Sequence, residues 1–320
     1  MKIVLTHEQI AQAAEEAYQE CKNVKGGVNA HYIPYLANVN PNLFGLSVTL
    51  SDGTQYNYGD TDFIFGIESI SKVPTAILVL RQYGAKTLLE KIGADATGLP
   101  FNSILAILLE KHQPSTPLVN AGAISACSMV KPVGDSNLKW KAIHDNICDL
   151  TGTEPEVIDE LYRSESATNF NNRSIAWLLK NYDRIYDDPP MSLDLYTRQC
   201  SLGVTAKGLS TMAATIAFKG FNPMTQKRIY DPELSARITT MIAAVGFYQT
   251  TGDWMYRSGI PAKSGVGGGV LGVYPGVMGV AAFAPPLDPA GNSVKAQAAV
   301  LTLIKKLNLG VFNGDCIEVQ

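Results

Sequence analysis

The chain has 320 residues, 46% hydrophobic and 17% charged, enough to bury a sizeable core in one large or two modest domains and unlike a disordered or fibrous sequence. A formal net charge of -3, with no run of lysine and arginine, gives no electrostatic ground for nucleic acid or an anionic membrane as partner, so a small molecule is expected. Cys21, Cys127, Cys148, Cys200 and Cys316 are scattered and never at C-x-x-C spacing, and His7, His31, His112 and His144 stand apart, which suggests neither a disulfide framework nor a zinc centre.

Residues 7 to 22 carry Ile10, Ala13, Ala14, Tyr18 and Cys21 at helical spacing and predict a first helix. The segment before it reaches His7 too soon for the apolar core of a signal peptide, so with reduced thiols a cytoplasmic protein is expected. "LFGLSVTL", the turn Ser51-Asp52-Gly53 and "TQYNYGD" predict a hairpin, with "FIFGI" as a third strand. From Ser71 to about Met255 helices prevail, among them "NSILAILLE" and "NNRSIAWLLKNY". "TAKGLSTMAATIAFKG" has Thr205 to cap it and Gly220 beyond its end. "DPELSARITTMIAAVG" has Asp231 at N-cap, Pro232 at N1 and Gly246 as terminator. Strands return at "GVLGVY" and "VMGVAAFA", and a helix closes the pattern near residues 293 to 308. The uncharged run Ser264 to Leu287 exceeds membrane-span length, but its glycines and the Tyr274-Pro275-Gly276 break favour two buried strands around a turn over a membrane helix.

Neither strand group alone makes a stable sheet, so the two are expected to pair into one antiparallel sheet. The fold class is then α+β, a sandwich with flanking helices and an inserted all-helical domain: residues 1–70 and 256–320 form the sheet domain, 71–255 the helical one, with a site in the cleft between.

"FGIESISKVP" crosses that boundary. Residues three apart share a helix face, so Ser69 can meet Lys72 while Ser71 points elsewhere. A serine hydroxyl needs a base to become a nucleophile, and a desolvated lysine can be neutral enough to serve. The motif alone is weak, since S-x-x-K arises on the order of once by chance in such a chain. Ser136-Asn137-Leu138-Lys139 repeats it ahead of Ile143, Ile147, Leu150 and Gly152, where helix capping explains it. "PAKSGVGGG" adds Lys263-Ser264-Gly265 opening a glycine-rich strand, the K-[ST]-G type that accompanies S-x-x-K in penicillin-recognising enzymes. Glycines there let backbone approach a substrate, and a strand N–H can complete an oxyanion hole.

The stretches "GGVNAHYIPYLANVNPNLFGLSVTLSDGTQYNYGDTDFIFGIESISKV", "PLVNAGAI", "NNRSIAWLL", "YTRQCSLGVTAKGLSTMAATIAFKGFNP" and "GIPAKSGVGGGVLGVYPGVMGVAAFAPPLD" resemble, in order, the serine-dependent glutaminases, from about Gly26 to Leu287. The resemblance implies a serine β-lactamase-like (DD-peptidase-like) fold and hydrolysis of L-glutamine to L-glutamate and ammonia without metal or organic cofactor. It implies Ser69 as nucleophile, Lys72 as proton acceptor, Tyr248 as proton shuttle, and the N–H groups of Ser69 and Val266 as oxyanion donors. For substrate it implies Asn120, Glu165, Asn172, Tyr196 and the Val266 backbone, with Tyr32 covering the pocket. Free glutamine carries an α-ammonium and an α-carboxylate, which ask for an anion such as Glu165 and for amide donors. "SATNFN", between Glu165 and Asn172, lacks the aspartate-arginine pair associated with many members. The compact bacterial form is implied, as a homodimer or homotetramer. The rival readings are a β-lactamase or penicillin-binding type acyl hydrolase, against which the absent S-D-N box stands, and a non-catalytic amino-acid sensor on the same fold.

Overall fold

Two distant stretches of chain build one sheet. In the computed structural model, which describes residues 2–109 and 113–320, five antiparallel strands run in the order Gln55–Gly59, Gly45–Thr49, Met278–Phe283, Gly269–Tyr274, Ala262–Ser264. Val48 pairs with Val280, Val280 with Gly272, and Gly272 with Ala262. Because side chains alternate along a strand, Leu46, Val48, Val280 and Ala282 join one core, with residues of helices His7–Cys21 and Val294–Lys306. Leu271, Val273, Ala281 and Phe283 join the other, with the middle helices. Both faces are covered, as the expected sandwich requires.

The second face rests on helix Ala206–Ala217, and the fit is close: a Cβ on Gly279 would stand 2.1 Å from the Ala214 nitrogen. Ser47 and Thr49 reach the same helix through the Ser210 hydroxyl, at 2.8 and 2.7 Å. These buried hydroxyls satisfy one another, so the seam costs little in desolvation.

Helix starts follow local chemistry. Thr6 and Gln9 form a capping box at the first helix, and Thr205 accepts from Gly208 N–H at 3.1 Å. Expectation and structure part at Asp231. Its carboxylate accepts from Glu233 N–H, but Leu234 and Ser235 donate three residues back, to Asp231 and Pro232, and close turns; the helix proper is Leu234–Val245. Gly246 keeps a right-handed φ of -62° and is needed for contact, since a Cβ would meet the Ala262 oxygen at 1.8 Å.

Three further differences concern strands. Of "FIFGI", Phe65–Gly66 pairs with Gly203–Val204, apart from the main sheet. Lys263-Ser264-Gly265 does not open the glycine-rich strand: Ala262–Ser264 is a strand of its own, and a turn closed by Gly268 N–H on Gly265 O (3.0 Å) leads to Gly269–Tyr274. A parallel pair, Lys2–Leu5 with Cys316–Val319, has no forewarning in the pattern.

The middle of the chain contributes helices Lys72–Lys91, broken at Gly84, then Asn120–Met129, Ser136–Thr151, Asp159–Thr168, Phe170–Asn181 and Pro189–Cys200. The boundary expected at residue 255 falls inside helix Thr251–Ser258. "NSILAILLE" is helical over Ile104–Leu109, and His112 lies outside the described residues. Ser136 begins its helix behind the Asp135 cap, which accepts from Leu138 N–H at 3.0 Å. Lys139 is fully buried, paired with Asp187 and donating to Ser128 O, so this second S-x-x-K serves packing. Among the described residues, no helix is long and apolar enough to cross a membrane.

Candidate active site

The chain reaches Ser69 through a constrained turn. Gly66 ends its short strand, Glu68 takes a left-handed φ of 51°, and the 3-10 turn Glu68–Ser71 runs directly into helix Lys72–Lys91. A non-glycine residue at positive φ is strained and persists where surroundings over-determine it. Ser71 donates to Glu68 O at 2.6 Å and keeps a helical role. Pro74 in the first helical turn gives up no intrahelical bond. Ser69 and Lys72, three apart, are both buried, and Lys72 Nζ donates to Ser69 Oγ. Burial pulls the Lys72 amine below the usual lysine range, while the acidic groups around it, Cys200, Glu68 and Glu165 among others, oppose that shift.

Tyr248, also at positive φ (54°), brings its hydroxyl against Ser69 and donates to Ser264 O at 3.3 Å. Burial raises this phenol above its ordinary range, against the pull of hydrogen bonds with Ser69 and Ser264. Its ring packs on Phe101 at 4.7 Å between centroids and under Lys263 Nζ at 4.1 Å. Lys263 is fully buried, donates to Ser264 O (2.6 Å) and Gly246 O (3.1 Å), and is held well below the usual lysine range by burial and then by Lys72. Sequence reasoning singled out Lys263 in its motif and gave it no role.

Val266 sits in the turn after Ala262–Ser264. The backbone bonds of that turn use the N–H groups of Gly265 and Gly268, not that of Val266. Gly265 and Gly267 press on the Ser69 turn: a Cβ would meet Ile67 O at 2.9 Å and Gly66 O at 2.2 Å respectively. Only glycine permits this approach, which holds the turn containing Val266 against the segment that leads into Ser69.

A second group comes from three helices. Asn120, Asn172 and Tyr196 are linked: Asn120 Nδ2 donates to Asn172 Oδ1 (2.9 Å) and the Tyr196 hydroxyl donates to Asn120 Oδ1 (3.1 Å). Lys72 Nζ lies 5.3 Å from the Tyr196 ring centroid, tying the groups together. In front is a cavity of about 170 Å³ lined by Tyr32, Phe101, Asn120, Glu165 and Asn172 among others. That is below the range of drug-sized pockets and suits a small solute. Tyr32 stands half exposed at its edge. Ser69, Lys72, Tyr248, Tyr196 and Val266 are buried behind this wall rather than part of it. A larger cavity, about 350 Å³ between Tyr162, Trp177 and Pro189, includes none of the predicted site residues.

Where "SATNFN" lacks an aspartate-arginine pair, Arg173 clips the helices instead, donating to Asn169 Oδ1 and Ser166 O, both at 2.8 Å.

Glu165 and Glu68 are both buried and bring carboxyl oxygens within 4.8 Å of each other, where an acid and a carboxylate can share a hydrogen bond. Burial raises both, Glu68 well above the carboxylate range with help from the Glu165 charge; the bond from Glu68 and the charge of Lys72 draw Glu165 back. One proton between two acids is the stable arrangement. Glu68 went unnoticed in the sequence, although a charge directly before the serine in an apolar run was the signal. Glu68, Glu165 and Cys200 bring potential ligand atoms within 4.8 Å, but burial favours the neutral forms of the thiol and of Glu68, a poor donor set for a cation.

Residues 27–312 match the family model described as glutaminase. The chain is 68% identical over 315 residues to a glutaminase of Parabacteroides distasonis, covering 98% of both chains. It is 44% identical over 311 residues to glutaminase 1 of Escherichia coli O6:H1, covering 97% of this chain and all of the other. Among solved structures, a probable glutaminase, ybaS, superposes with a TM-score of 0.95 at 44% identity over 96% of this chain and 99% of its own. Mglu in its glutamate form gives 0.90 at 32% identity, over 96% of this chain and 70% of its own.

Proposed function

This chain belongs to the glutaminase family, with its serine β-lactamase-like fold, and hydrolyses L-glutamine to L-glutamate and ammonia; from that premise we propose that the reaction runs through an acyl-enzyme on Ser69. The observation that carries the reading is the Lys72 Nζ to Ser69 Oγ hydrogen bond, buried behind a cavity walled by Glu165, Asn120 and Asn172.

Ser69 Oγ attacks the side-chain carboxamide carbon and its proton passes to Lys72 Nζ, an amine that burial favours in its neutral form. The N–H groups of Ser69 and Val266 hold the oxyanion, where preorganised donors act most strongly. The C–N bond breaks as Tyr248 delivers a proton to the departing ammonia, leaving a glutamyl ester on Ser69. Water then attacks that ester and gives a proton to Tyr248, the Ser69 Oγ–C bond breaks as Lys72 returns its proton to Ser69, and glutamate leaves. Glu165 takes the α-ammonium, while Asn120, Asn172 and Tyr196 take the α-carboxylate and Tyr32 shields the mouth.

The sheet body is read as residues 1–70 and 256–320 and the helical body as 71–255, the second cut falling within helix Thr251–Ser258, with the site between; Ser69 ends one sheet segment and Val266 follows the first strand of the other. The protein is read as a cytoplasmic homodimer or homotetramer, a reading that rests on family likeness and on thiols left free and mostly buried.

The test is ammonia release from glutamine, asparagine and a β-lactam by wild type and Ser69→Ala. Glutamine is the preferred substrate, since asparagine is one methylene short and misplaces its amide. Ser69→Ala loses nearly all turnover. Activity retained in that variant refutes the acyl-enzyme, β-lactam hydrolysis faster than glutaminolysis refutes the substrate class, and a glutamine-induced melting shift without ammonia points to a sensor.

A further inference from the structure

Glu68 precedes the candidate nucleophile and has no part in the reaction sequence above. Its side chain is nevertheless built for. Gly66, Gly265 and Gly267 surround it: a Cβ on each would stand 3.5 Å from Glu68 Oε1, 3.4 Å from its Cβ and 3.2 Å from its Cγ. The backbone accepts a left-handed φ of 51° to aim it inward. Glu68 Oε1 and Glu165 Oε1 are both buried, and neither meets an N–H or hydroxyl donor from any other described group. Two ionised carboxylates cannot satisfy each other, whereas an acid and a carboxylate can.

The groups facing Glu68 leave it no other cation. Lys72 is the basic group nearby, and its Nζ is engaged with Ser69. Glu165 faces it from helix Asp159–Thr168, Cys200 from helix Pro189–Cys200, Tyr248 from its own turn and Tyr32 from the cavity edge. Burial favours the neutral forms of Cys200 and Tyr248, so Glu165 is the charge that matters, with Lys72 beside it turning cationic when it takes the Ser69 proton.

We propose that Glu68 is a positioning residue for the substrate's α-ammonium group: its protonated carboxyl donates to Glu165 and holds that carboxylate, ionised, toward the cavity. This rests on the reading of Glu165 as the ammonium ligand. A buried carboxylate facing an empty cavity would otherwise take up a proton and lose its hold on a cation. A neutral acid beside it supplies the missing donor without adding a second charge, and the anion stays where the ammonium arrives.

The experiment compares kcat/KM for glutamine and for glutaramate, the same amide without its α-ammonium, in wild type, Glu68→Met, Glu68→Gln and Glu165→Gln. Wild type prefers glutamine. Hydrogen bonds to charged groups set the scale, so Glu68→Met lowers that preference about tenfold or more, chiefly through KM. Glu68→Gln keeps a donor at the same place and holds the preference within about threefold of wild type. Equal losses on both substrates in Glu68→Met reveal a merely structural residue and overturn the proposal. Loss of preference in Glu68→Gln overturns it too, because Glu68 would then act as an anion; that arm stands even if the methionine variant fails to fold. An unchanged preference in Glu165→Gln refutes the reading of Glu165 itself, a different outcome from either of these.

Discussion

Replacing Tyr248 by phenylalanine separates chemistry from packing. The hydroxyl makes two hydrogen bonds, one with Ser69 and a long one, 3.3 Å, to Ser264 O. Removing it orphans nothing: Ser264 O still receives Lys263 Nζ at 2.6 Å, and Ser69 Oγ still receives Lys72. The ring keeps its packing on Phe101 and under Lys263. The stability change is therefore at most that of two modest hydrogen bonds, below about 3 kcal/mol. If the phenol carries the proton to ammonia, kcat falls about 10²- to 10⁴-fold, the usual worth of a positioned acid–base group. In barrier terms that is roughly 3 to 5 kcal/mol. KM stays within about threefold, because the hydroxyl acts on the reacting nitrogen and not on the anchored α-groups. Coupled ammonia release and a thermal melt on one preparation read both quantities. A folded variant with kcat within about tenfold of wild type would refute the proton-shuttle role.

Three further outcomes follow from other contacts. Lys72 must be neutral to accept the proton, so kcat/KM declines as pH falls through its lowered pKa, and Lys72→Arg, cationic at every accessible pH, abolishes turnover; a pH–rate profile with no acid limb contradicts this. Asn120→Ala strips Asn172 of a donor and Tyr196 of an acceptor, and should raise KM for glutamine about tenfold to a hundredfold, at roughly 1–3 kcal/mol; steady-state kinetics check it, and an unchanged KM removes Asn120 from recognition. Gly279→Val drives a side chain into helix Ala206–Ala217, where even a Cβ stands 2.1 Å from backbone, and should lower stability in urea by about 1–3 kcal/mol or more; unchanged melting means that the helix yields freely.

Much of the architecture was legible because it rests on local rules. Thr205 caps its helix as its side chain predicts, and the strands around Val48 and Val280 alternate as a two-faced sheet must. Errors arose where a rule met competition. Asp231 has cap chemistry, but carbonyls three residues back claimed the next N–H groups and delayed the helix. Phe65 belongs to an apolar run that reads as a sheet strand, yet its neighbour Gly66 fits against Gly203 and Leu161 and takes it to a different pairing. At the site, the Ser69 to Lys72 contact follows from spacing alone. The linking of Asn120, Asn172 and Tyr196 does not, since three helices must pack before any two of those groups meet. Recognition of the substrate came from resemblance, and the Glu68 to Glu165 pairing from neither source, because partners so far apart in sequence leave no periodic trace. The repeated S-x-x-K at Ser136 differs by what surrounds its lysine, a half-buried Asp187 in place of a hydroxyl and a cavity.

The sheet that pairs residues 45–59 with 262–283 also governs when the enzyme can exist. A ribosome emits the hairpin and Ser69 early, then the whole helical stretch, and only afterwards the strands that flank Val266. Contacts of such long sequence separation close late and slowly. Until they close, Gly45–Thr49 has an unpaired edge and the serine lacks the oxyanion donor proposed at Val266. A nascent or truncated chain is therefore a client for chaperones before it is a catalyst. On the proposed mechanism, hydrolysis waits for residues 262–283 to pair, so a late segment turns a folded start into a working site.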